Sequence, residues 1–244
     1  MTSWLARPGT ARGWHALTAA VALGALFLQL ALIISGAAVL VEAAAAPSTP
    51  VRVFRFVTYF TVQSNLLVLV TTAALARDPG RDGRVWRVVR LDAVLGIAVT
   101  GLIHWFFLRP LLHLQGWSLV ADKLLHLAVP LLAVIGWVAF GPRHRIARDT
   151  IGLALLWPAA YMVFTVIHGS LAGFYPYPFT NVQQHGYLKI GVNAIAISVL
   201  FLLLAFALHA LDARLRIGSF DEHNDGLVQQ TNAAQPRASG DTSQ

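Results

Sequence analysis

The sequence predicts an all-α fold, a polytopic membrane bundle of six transmembrane helices with both termini cytoplasmic. Three observations predict it. The chain has 244 residues, 57% hydrophobic and 12% charged, about half the charge of a soluble domain. Its apolar residues gather in runs of about 20 or more, enough at ~1.5 Å per residue to cross ~30 Å of hydrocarbon. Its arginines collect in alternate loops, as the positive-inside rule requires.

The first run is Trp14 to Val41. It is longer than the ~7–15 residues of a signal-peptide core, and no small-residue cleavage site follows, so it reads as a retained helix. Ala43 to Pro50 is a small-residue and proline loop. The second run is Arg52 to Ala76, closed by the charged turn Arg77 to Arg84. The third is Val88 to Leu112, with Asp92 near its start, and the fourth is Trp117 to Phe140, ended by Gly141 and Pro142. The fifth is Ile151 to Ala172, followed by the aromatic-proline segment Phe174 to Phe179, and the sixth is Tyr187 to Leu211. The transmembrane domain therefore covers residues 1–217. Residues 218–244 form a polar tail too poor in apolar side chains to fold, expected to be disordered and cytoplasmic.

One set of loops holds Arg7, Arg12, Arg77, Arg81, Arg84, Arg87, Arg90, Arg143, Arg145, Arg148, Arg214, Arg216 and Arg237. The other holds only Arg52, Arg55, Arg109, Lys123 and Lys189. The richer side is read as cytoplasmic. The same asymmetry accounts for the net charge of +7 without a nucleic-acid partner. Ala, Arg, Gly and Val are frequent and Lys is scarce, a usage that suggests a bacterial inner membrane protein. The absence of cysteine excludes disulfides, thiolate metal sites and cysteine nucleophiles. No P-loop and no GxSxG elbow is present, and no cofactor is expected. No clear internal repeat points to a transporter built from inverted halves.

Polar groups inside hydrocarbon are expensive unless satisfied, so they carry the functional signal. On a continuous helix Thr58, Thr61, Asn65 and Thr72 fall within about 60° of one another. Asp122 and His126 lie one turn apart on one face. His104 follows Thr100 by one turn, and His168 lies near Tyr161 and Thr165. Helical rise and alternating direction put Thr61, His104, His126 and His168 at a common level in the outer third of the membrane. Each also has an ordinary reading. Thr61 can bond its hydroxyl to the Val57 carbonyl one turn earlier. Asn65 can bond a neighbouring helix. His104 and His168 can be packing histidines, and Asp122 with Lys123 an interfacial pair. Tyr175 to Pro178 reads as a rigid interfacial loop. His104, Asp122, His126 and His168 are metal-ligand types, but no HExxH-like spacing occurs and no metal is assigned.

Three segments, Tyr59 to Asn65, His126 to Pro130 and Tyr175 to Phe179, together resemble the androgen-induced and androgen-dependent membrane hydrolases and their bacterial six-helix relatives. By helix order the resemblance covers Trp14 to Leu211. It implies a threonine hydrolase of fatty acid esters of hydroxy fatty acids, with Thr61 as nucleophile and His126 as its partner. Asn65, His104, Asp122 and His168 are supporting candidates by position alone. Asp122 would orient His126, and Asn65 or His104 would donate to an oxyanion. The expected partners are membrane lipids or a lipid-like ester substrate. The alternative is a transporter or small-molecule-binding membrane protein using the same polar pocket without catalysis.

Reporter fusions after Arg84, Arg145 and Arg216 are expected to read cytoplasmic, and fusions near Pro47 and Tyr177 external. A reversed pattern overturns the assigned orientation.

Overall fold

The computed structural model describes residues 8–36 and 47–215. The polar tail from Gly218 onward lies outside the described residues, as do Arg7, Arg216, Arg237 and the loop from Ala43 as far as residue 46. Among the described residues the chain is all helical, and six helical stretches are long and apolar enough to cross a membrane: Gly9–Ile34, Phe60–Arg77, Arg84–Leu111, Gly116–Phe140, Arg148–Ala172 and Val182–Arg214. Leu171 and Leu188 are more than four-fifths exposed, a surface suited to lipid.

Helix α1 (Pro8–Ile34) packs along α3 (Phe60–Arg77), and α3 packs against α4 (Arg84–Ile103). The fourth span is α5 (Gly116–Lys123) and α6 (Val129–Phe140), joined through a π-helical turn, Leu124–Ala128. The fifth is α7 (Arg148–Ala154) and α8 (Leu156–Ala172), and the sixth is α9 (Val182–Arg214). The third span is the most buried, at 61%, and the sixth the least, at 17%. So α4 is the pillar of the bundle and α9 an outer strap. At one end Asp212 of α9 accepts the backbone N–H groups of Arg145 and Ile146 (2.7 and 2.9 Å). The Trp14 indole of α1 donates to the Leu132 carbonyl of α6, tying the first span to the fourth.

The structure corrects the second run. It is two helices, α2 (Thr49–Thr58) and α3, separated by Tyr59 in an extended conformation (φ −73°, ψ 130°). Thr58 therefore does not share a face with Thr61, Asn65 and Thr72, and its hydroxyl bonds to the Arg55 carbonyl. The break deprives Phe60 and Thr61 of helical acceptors for their N–H groups. Two tyrosine hydroxyls replace them. Tyr161 Oη accepts from Phe60 (3.2 Å) and donates to the Thr58 carbonyl (3.1 Å), and Tyr177 Oη accepts from Thr61 (3.0 Å).

Two further spans carry π-helical turns, His104–Leu108 and Leu124–Ala128. Each precedes a proline, Pro110 and Pro130. A proline cannot donate to the carbonyl four residues back and its ring crowds that carbonyl, here those of Phe106 and His126. Widening the preceding turn relieves the crowding.

The segment read as an interfacial loop is instead folded into the bundle, with Phe174, Tyr175 and Tyr177 buried. Gly173 ends α8 at φ 64°. Tyr175 lies flat on Gly169, where an added Cβ would come within 2.1–2.6 Å of the ring. The Phe179 carbonyl accepts from Asn193 of α9. Gly186 then turns the chain into the body of α9 at φ 73°, ψ 159°, a conformation open to glycine.

Gly169→Ala is expected to push Tyr175 off α8 and to cost about 1–3 kcal/mol by overpacking. Thermal unfolding in detergent measures it, and an unchanged midpoint would show that Tyr175 does not anchor the loop.

Candidate active site

The helix break fixes the chemistry of Thr61. In an unbroken helix its hydroxyl would bond to the carbonyl four residues back, as Thr18, Thr71, Thr72, Ser170 and Ser198 do here. Thr61 sits in the first turn of α3, and the Val57 carbonyl is taken by the Gln63 side chain (3.2 Å). The hydroxyl is left for tertiary partners. Thr61 Oγ1 lies 3.3 Å from His126 Nε2 and 3.2 Å from Tyr177 Oη.

His126 stands in the π-turn of the fourth span. Its Nδ1 is 3.1 Å from Asp122 Oδ1 and 3.1 Å from the Asp122 carbonyl. Both neighbours are acceptors, so in the neutral ring Nδ1 carries the proton and Nε2 faces Thr61 with its lone pair. Tyr177 Oη already accepts from the Thr61 N–H, and burial holds its phenol above the ordinary titration range. The proton it keeps is free to point at Thr61 Oγ1. The bonds then run one way, from Tyr177 O–H to Thr61 Oγ1–H, to His126, to the Asp122 carboxylate.

His104, at the start of the other π-turn, is buried. Its Nε2 lies 3.2 Å from the same Asp122 oxygen, and its ring stacks on His126 at 3.7 Å with an interplanar angle of 11°. His104 thus shares the carboxylate and presses His126 into place. Ligand atoms of His104, Asp122 and His126 all lie within 4.8 Å of one another, a spread compatible with a metal ion. Parallel stacked rings, however, direct their in-plane lone pairs alongside each other rather than at one point, so a shared cation would require one ring to turn.

Asn65 donates to the Thr61 carbonyl (2.8 Å) and the Leu125 carbonyl (3.3 Å). It clamps α3 to the π-turn that carries His126. With both contacts made to carbonyls, its amide is a brace and not an oxyanion donor. His168 does not join the group. It stacks on Phe164 and leans on Phe54 of α2, a packing histidine on another face of the bundle.

Two cavities meet at Thr61. One has about 70 Å³ of water-accessible space and is bordered by Phe56, Tyr59, Val62 and Leu125 beside Thr61, His126 and Tyr177. The other has about 60 Å³, reaches Thr61 and Tyr177 from the opposite side, and is bordered by Val99, Met162, Ile197 and Phe201. His126, 16% exposed, opens on the first. The three segments singled out in the sequence converge here, through Tyr59 and Thr61, through His126, and through Tyr177. Sequence reasoning missed Tyr177 and Tyr161. Their signal was the break at Tyr59, and no glycine or proline announces it. No family model matches the chain, and no curated protein or solved structure matches it.

Tyr177→Phe is expected to orphan the Thr61 N–H and to destabilise the protein by about 1–3 kcal/mol. Unfolding in detergent measures this, and a loss below about 0.3 kcal/mol would show that the hydroxyl does not cap α3.

Proposed function

We propose that this integral membrane protein is a lipid-ester hydrolase working within the bilayer. Thr61 is the nucleophile, His126 the general base and Asp122 the residue that orients it. The observation that carries the proposal is the connected line of Thr61 Oγ1, His126 Nε2, His126 Nδ1 and Asp122 Oδ1, at 3.3 and 3.1 Å, opening on an apolar cavity. A threonine hydroxyl is a weak nucleophile until a base takes its proton, and a neutral imidazole held by a carboxylate is suited to that task. Thr61 attacks the ester carbonyl while its proton passes to His126 Nε2. The tetrahedral oxyanion is met by the Tyr177 O–H, the donor nearest the nucleophile. His126 returns the proton to the leaving alcohol, and water, activated by the same imidazole, releases the acid from acyl-Thr61. The resemblance of the three convergent segments to the androgen-induced and androgen-dependent hydrolases supports the same assignment, and long-chain esters of hydroxy fatty acids are the substrates to try first. A lipid-like ester would enter sideways from the leaflet that the outer face of the bundle meets.

Purified protein is expected to hydrolyse a panel of such esters or activated acyl esters and to be labelled by a fluorophosphonate probe. Thr61→Ala and His126→Ala should each abolish turnover, and the double variant should be no worse. Thr61→Ser should retain some. Asp122→Asn should lower kcat on the order of 100-fold or more. A folded wild type inert to both panel and probe would favour the transporter or small-molecule-binding alternative. Activity surviving in Thr61→Ala would reassign the nucleophile.

A further inference from the structure

At the other end of α4, about 20 Å of helix rise from His104, lies a cleft that the hydrolase reading does not use. Arg81, Arg87, Arg90 and Arg145 line it with Trp86 and Trp137, and Asp212 is the one carboxylate on its wall. Arginines at membrane ends ordinarily extend toward water. Arg90 does not: it is 7% exposed, and its Nη2 is buried without a hydrogen-bond partner. Trp86 Nε1, on the same wall, is also buried and unpartnered. Arg143, 5% exposed, stands behind with Nη1 unpartnered, while its other terminal nitrogen donates to the Val138 carbonyl. The Arg90 and Arg143 nitrogens converge beside Gly141, at 2.5 and 3.3 Å from the point where a Cβ would stand. The nearby Trp137 carbonyl already accepts from the Gly141 N–H.

The acidic groups nearby are committed. Asp212 Oδ2 takes two backbone N–H groups. Asp82 is paired with Arg87 (2.6 and 2.8 Å) and lies 3.3 Å from Arg145. The Arg87 hydrogen bonds hold the Asp82 carboxyl down at about 2, so it stays charged and bound to them. Arg81 and Arg90 have no ion pair among the described residues. Buried donors without acceptors are costly and uncommon. Two such donors on side chains that line one cleft, Arg90 Nη2 and Trp86 Nε1, with excess positive charge around them, call for an anion with several oxygens. The cleft holds only about 10 Å³ of water-accessible space, room for one ligand oxygen in its depth and the rest of the group at its mouth.

We propose that this cleft binds a phosphate group, supplied by the headgroup of an anionic phospholipid, with Arg90 and Trp86 taking one oxygen inside and Arg81 meeting the others at the rim. Guanidinium and indole N–H donors match phosphate oxygens, and the ends of membrane-spanning helices are where such headgroups lie.

The test uses the full chain in a neutral detergent, followed by thermal unfolding and by native mass spectrometry of bound lipid. The probes are phosphatidylglycerol, phosphatidylcholine and inorganic phosphate. Phosphatidylglycerol is expected to raise Tm saturably and to be retained as one tight copy. Phosphatidylcholine should do neither, and inorganic phosphate should act only at much higher concentration. Arg90→Gln and Trp86→Phe should each weaken phosphatidylglycerol binding on the order of tenfold. Trp86→Phe keeps the ring in place and serves if Arg90→Gln does not fold. Saturation by inorganic phosphate with no preference for phosphatidylglycerol supports the phosphate chemistry but overturns the lipid as its source. Equal response to the two lipids, no response to any probe, or binding unchanged in a folded variant overturns the proposal.

Discussion

Everything at the candidate site depends on two backbone N–H groups, those of Phe60 and Thr61, that a helix break leaves without acceptors. Inside hydrocarbon such a group costs several kcal/mol unless something accepts from it. Here the acceptors are tyrosine hydroxyls from distant parts of the chain, Tyr161 on the fifth span and Tyr177 beyond it. One constraint therefore does three things. It ties α3 to the fifth span, it draws the segment after α8 into the bundle, and it leaves a threonine hydroxyl unbonded to its own helix. The reactive arrangement follows from satisfying the backbone.

The imidazoles are placed by a second backbone irregularity. Pro110 and Pro130 each follow a widened turn, and a π-turn adds a residue that shifts the face presented afterwards by roughly 100°. His104 and His126 sit in these turns on adjacent spans and meet ring to ring over Asp122. The i, i+4 spacing of Asp122 and His126, tight for a triad on a regular helix, is accommodated because His126 lies in the wider turn.

Hydropathy and loop charge were sufficient to recognise the six spans, because both signals are summed over about 20 residues and tolerate local errors. They did not reveal the interruptions. Tyr59 breaks a helix without glycine or proline, for a tertiary reason that the neighbouring residues do not contain. The polar stripe that included Thr58 assumed one continuous helix and lost that member when the helix divided. Thr61 and His126 were legible from short motifs and matched depth, and the structure brings them within 3.3 Å. His168 was read at the same depth from helical rise but packs on Phe164 and Phe54 instead, since a depth argument constrains one coordinate and leaves rotation about the helix axis free. Tyr177 was read by its local composition, aromatic and proline-rich, which suits a membrane interface as well as it suits a folded lid.

The loose seating of α9 has a consequence for how this protein can change over time. With 17% of its span buried, the helix is held at a few points, among them Asp212 under the loop after α6, His209 on the Ile146 carbonyl, Asn193 on the Phe179 carbonyl, Phe201 against Phe60, and the buried Ile190, Ala205 and Leu208. Between them the outward residues need only be greasy, so Leu, Ile, Val and Phe are interchangeable there at little cost to the fold. Descendants of this sequence are free to drift along most of α9 while these anchor positions stay fixed. The span that looks most typical of a membrane helix is thus the one whose letters carry the least information about what the protein does.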